Sequence, residues 1–202
     1  MEKTKIQLLP LETGMIQDAG IILTKNAIMQ KLKIFLEEIQ VVQKSIIENN
    51  SPGFPKEVLH ISPKVSRGEN YRGLPWLVLD YPRHFELHNV FAIRTMFWWG
   101  NFFSTTLHLS GTNKELIEPK IIGNKSWLDK NDFFVCINQH EWEHHFEKDN
   151  YILINEITDD KFEEIIRNKK FLKLAKKKSL EKISEMENIL CKNYAEIVSI
   201  IS

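Results

Sequence analysis

Between Leu74 and Gly111 the chain runs LPWLVLDYPRHFELHNVFAIRTMFWWGNFFSTTLHLSG, its densest concentration of aromatic and β-branched residues. Such residues fit a pleated, half-buried surface, so this stretch predicts a sheet that the rest of the chain must cover. Leu74 to Tyr81 alternates and carries proline only near its ends, where strand pairing is least disturbed. Phe91 to Trp99 and Phe102 to Leu109 read as two further strands, joined at Gly100-Asn101, residues that tolerate the positive φ of a hairpin turn. Both sides of Phe91 to Trp99 are mainly apolar, which places it centrally with cover on both faces. The same run is long enough to cross a bilayer, but Arg94, Asn101 and His108 would then lie inside the membrane. A strand pair is the cheaper solution.

Helices supply the cover. Ile28, Leu32, Phe35, Ile39, Val42 and Ile46 step by fours and threes, predicting a long helix over 25–50 that ends at Ser51-Pro52-Gly53. Ile183, Met186, Leu190, Tyr194, Ile197 and Ile201 form a matching stripe at the other end, and the chain from Thr158 onward is expected to be helical with a break near Asn168. Val58 to Val65 is the expected first strand, followed by a polar loop to Gly73, and 139–157 is read as a second hairpin turning at Lys148-Asp149-Asn150. The expected fold is α+β: an antiparallel meander of about four strands over 58–111 plus a smaller hairpin, covered by long N- and C-terminal amphipathic helices, in one domain over 1–202.

Composition narrows the partners. Lys plus Arg and Asp plus Glu each total 27, so no net field draws in nucleic acid or an anionic membrane, and neither is an expected partner. Cys136 and Cys191 have neither disulfide-framework nor metal spacing, and Met1 to Lys5 is not followed by the apolar run of a secretion signal. A soluble cytoplasmic protein is expected. The abundance of Lys, Ile and Asn suits an AT-rich, bacterial coding genome. The basic run Arg167 to Lys178 is interrupted by Phe171, Leu172, Leu174 and Ala175 and reads as a solvated helix face. Self-association as a homodimer is open to the apolar stripe of either long helix, which would make the chain a protein-interaction module.

Two residue patterns bear on chemistry. His140-Glu141-Trp142-Glu143-His144 matches H-E-x-x-H, in which two histidines one helical turn apart hold zinc while the glutamate works on the attacking water. In a strand those histidines stand about 13 Å apart, too far for one ion. Trp142, His144 and Phe146 alternate with charged residues, which favours a strand, so His140, Glu141 and His144 as a zinc hydrolase site is the alternative and no metal or other cofactor is expected. No catalytic set is assigned.

The second pattern is the placing of arginine. Only five arginines occur, and Arg67, Arg72, Arg83 and Arg94 all fall in the sheet region, although the chain elsewhere uses lysine. Guanidinium is chosen where a planar fork must hold a carboxylate or phosphate, or where a charge must survive burial. Arg94, among Phe, Ile, Met and Trp, needs an anion, and Asp80 on the preceding strand is a candidate beside Glu69 and Glu86. The expected site is therefore a pocket for a small anionic, partly apolar ligand, built from Arg67, Asp80, Arg83, Arg94, Trp98 and His108, with Trp76 and Trp99 as further walls. An Arg94 satisfied by Asp80 would remove the free cation on which that reading depends. Parity is decided by the turn: a two-residue turn sets Arg94 on the face of Phe103 and Leu107, whereas a three-residue turn brings it beside Ser104, Thr106 and His108.

Overall fold

The structure is a computed structural model that describes residues 6–202. The secretion-signal reading of Met1 to Lys5 lies outside the described residues. The chain begins with α1 (Pro10–Gln17), α2 (Ala19–Asn49) and the short α3 (Lys56–Leu59). There follow β1 (Lys64–Tyr71), β2 (Leu74–Glu86), β3 (Asn89–Trp98) and β4 (Phe102–Ser110), then α4 (Gly111–Gly123) and α5 (Lys125–Lys130). The last part holds β5 (Phe134–Cys136), β6 (Tyr151–Leu153), α6 (Asp159–Asn168), β7 (Phe171–Ser179) and α7 (Met186–Ile201). The seven strands form one antiparallel sheet in the order β1-β2-β3-β4-β7-β5-β6. The α+β class, the four-strand meander and the long helices at both ends are as the sequence predicts.

One face of the sheet carries the helices. Leu77, Leu79, Phe97 and Phe103 meet Met29, Leu32, Leu36 and Ile39 of α2 and Met186 and Leu190 of α7 in one apolar cluster. A second cluster joins Ile93, Leu107, Leu109 and Leu174 to Ile117, Ile121, Tyr194 and Ile197. Most of both helix stripes predicted from the sequence packs on the chain's own sheet, while Ile28 and Val42 of α2, and Ile183 before α7, stay partly exposed. The two helices pack on each other but are unequal, 31 residues against 16. α2 starts earlier than predicted because Asp18 caps it, its Oδ1 accepting from the Gly20 amide at 2.8 Å. The glycine falls in the first turn, where its helix penalty matters least. No helix among the described residues is long and apolar enough to cross a membrane, and the Phe91 to Leu109 segment is a hairpin.

Three elements differ from expectation. The first strand lies at Lys64–Tyr71, so the predicted polar loop is itself strand and Val58 is buried in α3. The hairpin of 139–157 has its true strands at Phe134–Cys136 and Tyr151–Leu153, with 137–150 as a long connection lacking helix or strand. Lastly, Phe171–Ser179 is a strand paired along its whole length with β4, where helix was expected. Its lysines explain both the fold and the misreading. Leu172, Leu174 and Lys176 point to the helix side, and Lys176 reaches Glu196 of α7 at 2.7 Å. Phe171, Lys173 and Ala175 face the other way. Long lysine stems lie along apolar surface while their heads reach a partner, so a half-buried strand can look like a basic helix face.

Candidate functional site

The second face of the sheet is covered by the connection 137–150. Register decides which side chains it meets. β3 and β4 pair Trp98 with Phe102 around the three-residue turn Trp99-Gly100-Asn101, with Gly100 at φ 70°. The longer turn therefore sets Arg94, Thr106, Ser104 and His108 on one face, and Asp80 joins them by pairing with Arg94 across β2 and β3. The expected two-residue parity is corrected by this one residue.

Asp80 and Arg94 form a two-pronged pair: Arg94 Nε donates to Oδ1 at 2.8 Å and Nη2 to Oδ2 at 3.0 Å. The third nitrogen, Nη1, stands 3.0 Å from His144 Nε2. Arginine has no acceptor, so Nε2 must be unprotonated and the imidazole proton sits on Nδ1. Burial, followed by the nearby charges of Arg94 and Lys173, pushes the His144 pKa well below its ordinary value, consistent with a neutral ring. Arg94 is thus a largely shielded half of an ion pair with Asp80, and is not the free cation expected for an anionic ligand.

The connection is tied down at several points. Tyr71 Oη accepts the His144 and His145 amides at 2.7 and 3.0 Å and donates to Glu143 Oε2 at 2.9 Å. Burial and the neighbouring Glu143 push the Tyr71 hydroxyl up to about 12. Lys173 Nζ donates to the carbonyls of Glu141, at 2.9 Å, and of Glu143. Only 1% of Lys173 is exposed, and burial lowers its pKa to about 8. His108 Nε2 reaches Glu141 Oε2 at 3.2 Å; burial, then Lys173 and Arg94, lower its pKa to about 3, so this contact is a neutral N–H donating to a carboxylate. Phe146 stacks on Tyr151 with centroids 4.5 Å apart and meets Phe102 and Phe134 edge-on.

Between this strap and strands β1 to β3 lies a cavity of about 380 Å³. Its walls are Tyr71, Trp76, Val78, Met96 and Trp142, and its polar groups are Ser66, Asn70, Asp80, Arg94 and His144. Trp142 forms the outer wall, about half exposed, with Arg94 6.0 Å from its ring and His108 edge-on at 5.2 Å. Trp76 lies so close to β1 that a Cβ on Gly68 would come within 2.5 Å of its indole. Gly68→Ala is therefore expected to displace the Trp76 ring at a cost of about 1–3 kcal/mol. A change in near-ultraviolet circular dichroism with the fold retained would register the movement.

Of the sequence-predicted set, Asp80 and Arg94 line the cavity. Trp98 supports it from beneath, its Nε1 donating to the Tyr71 carbonyl at 3.2 Å, and His108 stands on the far side of Trp142. Arg67 faces the helix side beside Met29, Lys33 and Glu69, and Arg83 Nε donates to the Ser62 carbonyl at 2.8 Å; neither belongs to the site. Trp99 lies on the helix side against Phe97. Tyr71 and Trp142, and His144 in this role, were not assigned to the pocket from sequence, nor was Lys173 recognised as the buried support of the strap.

The residues His140 to His144 form no helix, which the zinc motif requires. His144 faces a guanidinium, and Glu141 is engaged by His108. Among the described residues, the groups that converge within 4.8 Å are instead His145, Glu147 and Asp149. His145 Nδ1 there accepts the Glu147 amide at 3.3 Å, and Glu147 is paired with Arg72 at 2.6 Å. Comparison with protein-family models, with curated proteins and with solved structures returns no match.

Proposed function

We propose that this chain binds a small, mainly apolar, ring-bearing ligand whose polar group is uncharged, in the cavity between the Arg94 face of the sheet and the 137–150 strap. The observation that carries this reading is the Asp80–Arg94 pair set in a wall otherwise made of Trp76, Val78, Met96 and Trp142. Burying an ion pair costs more in desolvation than a well-packed apolar replacement, so its place in a cavity wall suits recognition better than stability. The pair presents spare carboxylate lone pairs beside a spare guanidinium N–H. A carboxamide offers the matching donor and acceptor, whereas an anion meets Asp80 and a cation meets Arg94. The cavity volume falls at the lower end of small-molecule sites.

The proposal departs from the anionic ligand expected from sequence because Arg94 is already neutralised. It keeps the expected cytoplasmic setting, which suits the free thiols of Cys136 and Cys191. It keeps the expectation of no nucleic-acid partner, supported by the lysines of the supposed basic helix face lying along a strand with Lys173 buried.

Calorimetric titration with phenylacetamide, phenylacetate and phenethylamine tests the charge rule at constant ring size. The amide is expected to bind at least about tenfold more tightly than either ion, a difference of ~1.4 kcal/mol. Tightest binding by phenylacetate would restore the anion reading, and binding by none of the three would remove the site.

A further inference from the structure

The strongest unexplained feature outside the cavity is the N-terminal arm. No residue of α1 is buried. From Ile6 to Ile28 the large side chains Ile6, Leu9, Leu11, Ile16, Ile22 and Leu23 are each more than half exposed, at 88, 67, 74, 75, 57 and 66%. Leu8, Met15, Ile21 and Ile28 add further exposed surface. Glu12, Asp18 and Lys25 are the only charged residues in this span. Solvation of a polar face cannot account for such a composition.

Beside the arm is an apolar groove of about 680 Å³, walled by Ile21, Ile22 and Ile28 of α2 and by Leu74, Pro75 and Trp99 at the end of the sheet. The chain therefore carries both an uncovered apolar helix and an unfilled apolar groove. We propose that this region is the interface of a two-fold homodimer, in which α1 of each copy lies in the groove of the other, with Leu11 and Met15, one helical turn apart, as the inserted residues.

Area favours a second copy. The exposed side chains of the arm offer on the order of 1,000 Å² of apolar surface per chain, above the ~800 Å² per partner of a standard stable interface. Reciprocal insertion buries helix and groove together on both copies and closes the assembly at two. A membrane surface fits less well, because interfacial helices carry Lys and Arg on the polar face and this arm has one lysine against two acids. The proposal is independent of the cavity and its ligand.

Sedimentation equilibrium of the full chain reads the answer. The expected mass is twice 23.8 kDa at micromolar concentration. Leu11→Glu on the helix and Ile22→Glu in the groove are each expected to weaken association at least about 100-fold, since each change enters a two-fold interface twice. Circular dichroism should be unchanged for Leu11→Glu, since Leu11 is 74% exposed. A wild-type chain that stays at 23.8 kDa at about 100 μM overturns the proposal. So does a dimer that neither substitution weakens. Monomeric protein that floats with phosphatidylcholine–phosphatidylglycerol vesicles would assign the arm to lipid instead.

Discussion

Asp80→Asn is expected to lower unfolding free energy by about 3–5 kcal/mol, because it leaves the Arg94 guanidinium buried against a neutral amide. Both partners are well shielded, with side chains 10 and 14% exposed, so solvent screening does little to soften the loss. For a chain of this length each kcal/mol corresponds to roughly 2–4 °C in melting temperature. Replacing the pair together, by Asp80→Leu with Arg94→Met, is expected to recover stability to within about 1 kcal/mol of wild type, since apolar residues of similar volume tolerate such sites. Urea denaturation distinguishes the cases. The double variant also separates folding from recognition: it should fold and fail to bind phenylacetamide.

Acid should unfold this protein through its buried histidines. His108 has a folded pKa of about 3 against an ordinary 6.5, so the unfolded chain binds the extra proton first as pH falls. The stability held by the neutral ring is complete above pH 6.5 and is lost progressively toward pH 3, by about 4 kcal/mol. His144 is shifted in the same direction and adds to the loss. Lys173 has the same sign on the alkaline side: with a folded pKa of about 8 against 10.5, it stabilises the fold as pH rises between those values and its buried charge is released. The measurement is unfolding free energy against pH for wild type and His108→Phe. The variant should lack about 4 kcal/mol of the acid-side slope; an unchanged slope would mean that His108 is not titrating in a buried environment.

Apolar alternation and turn residues were enough to place β2, β3 and β4, because Leu77, Leu79, Ile93, Phe97, Phe103 and Leu107 pack on the helices without help from distant charges. The scarcity of arginine pointed to an anion for Arg94, with Asp80 one candidate beside Glu69 and Glu86, and Asp80 is the one that pairs. What sequence concealed depended on contacts far along the chain. Lys173 reads as solvent-facing until the carbonyls of Glu141 and Glu143 are brought over it. Tyr71 gains its role only when the amides of His144 and His145 arrive. The strap alternates like a strand in sequence yet pairs with none, because Phe146, Trp142 and His144 each meet a different part of the sheet through their side chains. One residue in the β3–β4 turn moved His108 to the face of Arg94, a difference that composition cannot register.

The most direct test of the cavity's role is a crystal structure of the protein soaked with phenylacetamide. The account predicts the ring between Trp76 and Trp142, with the carboxamide nitrogen on Asp80 and its oxygen on Arg94, while the Asp80–Arg94 and Arg94–His144 contacts persist. A ligand bound elsewhere, or a cavity closed by the side chains of Trp76 and Trp142 at saturating amide, would contradict it.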